Sequence, residues 1–176
     1  TYFAFWLSSP QTIIRKAYDA FKDVVGDGTE TLSPIEVATV ASIVEWESQH
    51  KPERGHIAGV YLNRLRIGMR LQADPTVQYG LLEREGNRRR LLFVDYELDH
   101  PYNTYRIDGM PPGPLTNPSP SSLRSVLNPD DTDDLYFVAS PALDGTHEFS
   151  RTLSEHNAKA ERYRTALRAY LARRDG

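Results

Sequence analysis

The sequence contains no cysteine, so disulfide bonds, cysteine zinc sites and thiol nucleophiles are excluded. It has no apolar run approaching the roughly 20 residues that a membrane-spanning helix requires, and no signal-peptide pattern. Lysine is scarce, since only four of the 21 basic residues are lysines. The net charge of −3 gives no reason to expect nucleic acid as a partner.

What is present suits a soluble globular domain. The chain has 176 residues, of which 39% are hydrophobic and 26% are charged. This length is enough for one domain with its own core. There is no internal repeat and no low-complexity linker, so we expect a single domain over residues 1–176. The aromatic segment 1–8 is expected to be extended and packed on that core.

The best-defined helix signal lies at residues 33–47. Ser33 is a good N-cap, Pro34 fits the first helical position, and Glu36 completes a capping box. The following apolar residues recur at helical spacing: Val37, Ala38, Val40, Ala41 and Val44. Glu45 and Glu47 fall at the end of this helix and point in different directions.

Both glutamates sit at the edges of the apolar stripe. A carboxyl group against apolar walls has a raised pKa and can act as a general acid near neutral pH. The alternative is that Glu45 and Glu47 are solvated residues at a helix end. The helical spacing does not decide between these interpretations or between the two glutamates.

Two more helices are expected after a break at Pro52. One ends near Gly68, and a shorter one begins with Asp74 as N-cap and Pro75 as its first residue. Polar side chains able to point into a cleft gather in this part of the chain: Glu45, Glu47, Asn63, Gln72 and Asp74.

The remaining segments indicate an α+β domain that is mainly helical. A helix after Ser9 carries an apolar stripe that is expected to pack in the core: Ile13, Ile14, Ala17, Tyr18 and Phe21. Residues 88–90 are three arginines, interpreted as solvated although an anion-binding patch is the alternative. Residues 135–150 predict a β-hairpin with a tight turn at Asp144-Gly145. A last helix follows over residues 153–173.

The loop at residues 101–114 is rich in proline and glycine and is predicted to be rigid. It carries Tyr102, Asn103 and Tyr105. Aromatic rings stack on sugar faces, and amide and hydroxyl groups bond to sugar hydroxyls, so this composition suits carbohydrate binding. A structural turn with buried tyrosines is the alternative interpretation.

These motifs closely resemble the endolytic murein transglycosylase (YceG-like) family. The resemblance covers nearly the whole chain in the right order. It is carried by ASIVEWE at 41–47, VYLNRL at 60–65, GMRLQADPT at 68–76, YNTY at 102–105, GMPPGP at 109–114, LYFVA at 135–139, HEF at 147–149 and HN at 156–157.

The resemblance implies cleavage of the β-1,4 bond between N-acetylmuramic acid and N-acetylglucosamine in peptidoglycan, leaving a 1,6-anhydromuramoyl end. One residue would serve first as acid and then as base, and the matching position is Glu47. It also implies a lysozyme-like placement of that glutamate at a helix end in a groove. Glu45 then has a structural or supporting role, and no cofactor or metal is implied.

Weaker expectations concern the residues around that acid. Gln72 and Asp74 are expected to orient the sugar. Three residues of the rigid loop are expected to line the saccharide groove: Tyr102, Asn103 and Tyr105. Asn63 is expected to tie its helix to a loop rather than to bind substrate. For His147 and His156, a structural role is favoured over a role in the cleft.

Three alternatives stay open at this point. A conventional glycoside hydrolase (a muramidase) would use Glu47 as acid and Asp74 as base or nucleophile, with the two carboxyls about 5–9 Å apart. A pyridoxal-phosphate lyase would need a buried lysine, and the four lysines lie in polar or helix-surface settings. A non-catalytic peptidoglycan-binding module is the third.

The resemblance also implies a wider context. Members of the family carry an N-terminal membrane anchor and a small LysM-like domain before this region, so we interpret the sequence as a fragment. The full-length protein would lie in the bacterial cell envelope, at the outer face of the inner membrane. Peptidoglycan glycan strands, and peptidoglycan synthases through regions outside this fragment, are the partners implied.

Overall fold

The computed structural model describes residues 6–174. Within this range it contains six α-helices, two short 3-10 helices and one antiparallel two-stranded sheet, which confirms the α+β prediction. The elements are α1 (Pro10–Val25), α2 (Pro34–Glu47), α3 (Arg54–Arg66), α4 (Asp74–Glu85), α5 (Pro120–Leu127), β1 (Tyr136–Ala139), β2 (His147–Ser150) and α6 (Leu153–Arg174), with the 3-10 turns at Lys51–Glu53 and Phe93–Glu97.

Helix α2 forms the centre of the core. Every residue from Val37 to Val44 is buried, because α3, α4 and α5 pack around it and an apolar helix needs partners on all sides. The predicted capping box fixes where it starts, since the Ser33 amide donates to the Glu36 carboxylate at 2.8 Å. At the other end the helix leaves the core at Glu47.

The connection from α3 to α4 brings polar side chains beside that end of α2. Gly68 and Gln72 both adopt left-handed backbone angles, with φ of 68° and 47°. Two tight reversals can therefore fit into a short loop. Helix α4 begins at Asp74, with Ala73 as its N-cap, one residue earlier than predicted.

The predicted hairpin is present and packs against α6. Phe137 pairs with Phe149 and Ala139 with His147. The connection spans residues 140–146 and is closed by a hydrogen bond of 2.8 Å from the Ser140 amide to the Thr146 carbonyl. It is therefore a longer loop than the tight turn expected from Asp144-Gly145.

The prediction for the stripe of α1 is wrong in its first half. Ile13, Ile14 and Tyr18 are exposed, and only the C-terminal part of the helix, including Phe21, packs against the core. Helical periodicity identifies an apolar face but does not say whether another element covers it. Of the segment 1–8, residues 1–5 lie outside the described residues, and Trp6 and Leu7 are exposed rather than packed.

Candidate active site

The end of α2 opens into a cleft of about 470 Å³. Its walls come from α2, α3, the start of α4, the loop 96–105, the hairpin and the start of α6. The lining residues are Glu47, Tyr61, Arg64, Gln72, Asp74, Tyr96, Tyr105, Tyr136, Phe137, Val138, Ala139, His147, Leu153 and His156.

Glu47 lies in this cleft with a perturbed carboxyl group. Burial raises its pKa to about 7, and the negative charge of Asp74 adds to that rise. A hydrogen bond from the Tyr61 hydroxyl to Oε1 and the charge of Arg64 act in the opposite direction. The result is a carboxyl group that is about half protonated at neutral pH, as a general acid requires.

Tyr61 and Arg64 both come from α3 and are both buried. Burial raises the pKa of Tyr61 well above its usual value, so the phenol stays protonated and remains a donor. Arg64 is fixed by two backbone carbonyls, those of Leu71 at 2.5 Å and Leu135 at 2.6 Å. Its charge is therefore held in place beside the Glu47–Tyr61 pair.

Asp74 supplies the second carboxyl group of the cleft. It accepts hydrogen bonds from the hydroxyl of Tyr105 at 2.6 Å and from that of Tyr96 at 3.4 Å. Burial and the charge of Asp74 raise the pKa of Tyr96 to about 12 and that of Tyr105 further. Both phenols stay protonated and remain donors, so their hydrogen bonds orient the side chain of Asp74 in the cleft.

Glu45, two residues before Glu47, lies in a different environment. It bonds to Arg54 at 3.2 Å and accepts hydrogen bonds from Ser119 and Ser122, both at 2.6 Å. Burial alone would raise its pKa, but these hydrogen bonds and the charge of Arg54 outweigh it and lower the pKa to about 2. Glu45 therefore takes part in a polar network that joins α2, α3 and α5.

Two residues expected to line the groove lie elsewhere. The Tyr102 ring stacks on Tyr79, with ring centroids 4.4 Å apart. Asn103 is fully buried, and its side-chain amide donates to the carbonyls of Tyr96 and Leu98 at 3.0 and 2.8 Å. These bonds hold the loop in shape, so Tyr105 alone of the three loop residues reaches the cleft.

The other expected residues divide between structure and cleft. The amide of Asn63 donates to the backbone carbonyls of Thr132 and Asp134 at 2.7 and 3.2 Å; these contacts join α3 to the following loop. His147 lines the cleft while its Nδ1 pairs with Glu53 at 2.9 Å. His156 also lines it, and burial lowers the pKa of its imidazole.

The cleft continues past Glu47 on its other side. A cavity of about 350 Å³ is lined by Trp46, Glu47 and Asp74, by Pro75 and Gln78 of α4, and by Arg88 and Arg89 of the loop that follows α4. A further cavity of about 620 Å³ follows it. Glu47 and Asp74 line both the cleft and the 350 Å³ cavity, so these two spaces adjoin at the candidate acid.

Sequence reasoning missed several of these side chains. No sequence pattern gave Tyr61 or Arg64 a role in the cleft, and none connected Trp46 with Arg88. The spacing of Tyr61 and Arg64, three residues apart, is one signal that places them on the same face of a helix. Nothing local indicates that this face meets the end of α2.

The part of the chain that the structure describes contains no group of three or more histidine, aspartate and glutamate side chains placed to hold a metal ion. None of its helices combines the length and the apolar character needed to cross a bilayer.

Comparison with known proteins identifies relatives of the chain. An endolytic murein transglycosylase of Bacillus subtilis is 45% identical over 125 residues, which are 71% of this chain and 33% of that protein. One of Streptococcus pneumoniae is 34% identical over 131 residues, which are 73% of this chain and 24% of that protein. The crystal structure of a yceG-like protein from Listeria monocytogenes has 38% sequence identity and a TM-score of 0.74, over 90% of this chain and 52% of that chain.

The chain therefore spans about a quarter to a third of the length of the curated relatives it matches. The model of the YceG-like family matches residues 1–162, which are almost the whole chain. This match shows that the chain belongs to the YceG-like family.

Proposed function

We propose that this chain is the catalytic domain of an endolytic lytic transglycosylase that cleaves the MurNAc-β-1,4-GlcNAc bond of peptidoglycan strands. The observation that carries the proposal is the Glu47 carboxyl group, which has a pKa raised to about 7 and lies in a groove at the end of a helix. The names of the relatives from Bacillus and Streptococcus support the same substrate and reaction.

In the first step, protonated Glu47 donates its proton to the glycosidic oxygen. The bond between that oxygen and C1 of muramic acid breaks, and the N-acetylglucosamine hydroxyl leaves. Tyr61 donates to Oε1, so Oε2 is the oxygen left to carry the proton. Positive charge develops at the muramic acid ring, and the Asp74 carboxylate in the same cleft favours it electrostatically.

In the second step, Glu47 is a carboxylate and acts as a base. It removes the proton from the 6-hydroxyl of the muramic acid, whose oxygen bonds to C1 and closes the 1,6-anhydro ring. The proton returns to Glu47, and no water is consumed. One group with a pKa near the working pH can serve both steps, so the proposal needs no second nucleophile.

The groove on both sides of Glu47 supports cleavage inside a strand, because sugars can lie on either side of the broken bond. Gln72, Asp74 and Tyr105 are proposed to hydrogen-bond these sugars. For the whole protein we propose action in the bacterial cell envelope at the outer face of the inner membrane, with peptidoglycan synthases as partners.

A muramidase is the second candidate, because Asp74 lines the same cleft as Glu47. Against it stands the engagement of Asp74 by Tyr105 and Tyr96, which weakens a carboxylate as a nucleophile. The two reactions differ in product, since hydrolysis gives reducing ends and transglycosylation gives anhydro ends.

Mass spectrometry of products from purified glycan strands tests the proposal, with the parent compared to Glu47→Gln. We expect shortened strands with anhydromuramoyl ends from the parent and none from the variant. Reducing ends from the parent would establish the muramidase instead. An unchanged product in Glu47→Gln would remove Glu47 from the mechanism. Strand binding by both proteins with no product from either would favour a non-catalytic binding module.

A further inference from the structure

The three consecutive arginines at residues 88–90 have different environments. Arg89 donates to Asp95 at 2.6 and 2.8 Å and to Glu85 at 3.1 Å. Asp95 is buried, and the hydrogen bonds from Arg89 are the main reason that its pKa is lowered to about 2. Arg89 is therefore neutralised by carboxylates and anchors the loop to the end of α4.

Arg88 is exposed, and its guanidinium carbon lies 3.5 Å from the centroid of the Trp46 ring. It forms no ion pair with any residue between 6 and 174. Stacking on an aromatic ring occupies the flat face of a guanidinium and leaves the N–H groups at its edge available. Arg88 is thus a positive charge that is positioned but not neutralised.

This charge lies beside the candidate acid. Trp46 immediately precedes Glu47 in α2, and Trp46, Glu47 and Arg88 line one cavity of about 350 Å³. The groups whose charges act on the pKa of Glu47 are Asp74 and Arg64. Arg88 therefore lines the space beside the acid that a ligand in the groove would occupy.

We propose that Arg88, held on Trp46, binds a carboxylate carried by the substituent of the muramic acid residue that sits next to Glu47. The inference rests on the proposed function and extends it to substrate selection. The sugar backbone of peptidoglycan is neutral apart from the lactyl group on muramic acid. That group presents a carboxylate either directly or through the peptide attached to it.

This contact distinguishes peptidoglycan from a neutral polymer with the same linkage. Chitin oligosaccharides have β-1,4-linked N-acetylglucosamine but no lactyl group, so they offer nothing to Arg88. The groove also has room for a substituent, because it continues into a cavity of about 620 Å³ lined by Arg90 and the exposed Phe93.

Binding to three oligosaccharides of equal length tests the inference. One carries stem peptides on muramic acid, one carries bare lactyl groups, and one is a neutral chitin oligosaccharide. Calorimetry would use Glu47→Gln protein to prevent turnover, with and without Arg88→Ala. We expect Arg88→Ala to weaken binding of a charged oligosaccharide about tenfold more than binding of the neutral one, as for one charge-assisted hydrogen bond.

Two further variants sharpen the comparison. Arg88→Lys keeps the charge but loses the planar stack, and we expect it to retain part of the preference. Arg124→Ala removes an exposed arginine of α5 that does not line the groove. Its preference for charged over neutral oligosaccharides is expected to equal that of the protein carrying Glu47→Gln alone. The preference should also fall as ionic strength rises, since the contact is partly exposed.

The outcomes separate the two proposals. An Arg88→Ala penalty confined to the peptide-bearing ligand identifies a peptide carboxylate, and one confined to the bare ligand identifies the lactyl carboxylate; either supports the inference. An equal penalty on all three ligands, or none, overturns it even if anhydro products are found. Binding with the expected penalty, together with no product from the protein that keeps Glu47, would overturn the transglycosylase reaction while the carboxylate site stands. If none of the three ligands bound, both proposals would be overturned.

Discussion

The hydroxyl of Tyr61 donates a hydrogen bond to Oε1 of Glu47 where α3 passes the end of α2. This bond favours the charged carboxylate, whereas burial and the charge of Asp74 favour the neutral acid. The pKa of about 7 results from these opposing effects, and Arg64 acts on the same side as Tyr61. Apart from burial, each contribution belongs to a named side chain, so each of these can be removed separately.

Replacing Tyr61 with phenylalanine is expected to move the pH profile to higher pH. The general acid must be protonated, so activity falls as pH rises through the pKa of Glu47. Loss of the Tyr61 hydrogen bond leaves the carboxylate less stabilised and raises that pKa, by about one unit for a hydrogen bond to a charged group. The pH dependence of kcat/KM on glycan strands measures the shift. A profile identical to the parent's would contradict a positioning role for Tyr61.

Replacing Asp74 with asparagine is expected to move the pH profile in the opposite direction. The variant removes a negative charge that favours the neutral form of Glu47, so the falling limb of the profile moves to lower pH. Activity also decreases, by about tenfold to a thousandfold, because an electrostatic contribution to the transition state is lost. Anhydro ends should persist as the product. Complete loss of turnover in Asp74→Asn with reducing ends in the parent would favour the muramidase.

A matched control for this variant is Asp108→Asn. Asp108 is exposed and pairs with Arg70 at 2.8 Å, outside the walls of the cleft. A surface ion pair of this kind contributes little to stability. Its pH profile is expected to follow that of the parent, so any shift seen in Asp74→Asn is specific to the cleft.

The central helix and its neighbours could be predicted from the sequence because their signals are local. The capping box at Ser33 and Glu36 fixes the start of α2, and two short strand-like segments on either side of Asp144-Gly145 indicate the hairpin. The different environments of Glu45 and Glu47 could not be predicted from local sequence. It depends on Arg54 and Ser119, which reach Glu45 from two other helices.

The rigid loop illustrates a different limit. Its proline and glycine content predicts a fixed shape, but composition does not tell which side chains point into a groove. Asn103 points inward and holds the loop, whereas Tyr105, two residues later, points into the cleft. Only the packing of the loop against α4 and the 3-10 turn at Phe93–Glu97 decides this.

Replacing Glu45 with glutamine is expected to lower stability rather than to change the pH profile of the reaction. The side chain of Arg54 is 3% exposed, and removal of its charged partner leaves a buried positive charge, at a cost of about 3 kcal/mol. Urea unfolding at pH 7 measures the loss. The folded pKa of Glu45 is lowered to about 2, so its stabilisation is present above about pH 4.5 and is lost as pH falls toward 2. The difference between parent and Glu45→Gln should therefore shrink over that interval, and a constant difference would contradict the assignment.

Replacing Glu47 with glutamine is expected to increase stability while it abolishes turnover. The folded pKa of about 7 lies above the usual value of 4.5, so the folded state resists ionisation that the unfolded state accepts. The carboxyl group therefore has no effect below about pH 4.5, and its destabilising effect grows between pH 4.5 and 7 and is constant above that. The full difference is at most about 3 kcal/mol, and partial exposure of the side chain to solvent reduces it.

Urea unfolding of both proteins at pH 4 and pH 8 measures this effect. We expect equal free energies of unfolding at pH 4 and a more stable Glu47→Gln protein at pH 8. Glu97→Gln is a suitable control, because Glu97 lies in an exposed surface ion pair with Arg106, and its effect on stability should not differ between pH 4 and pH 8. Gln78→Glu is not suitable, because Gln78 also lines the groove. If Glu47→Gln were less stable than the parent at pH 8, the carboxylate would be stabilised by its surroundings, and Glu47 would not be protonated near neutral pH. The proposed first step depends on that proton, so this measurement tests the mechanism without any substrate.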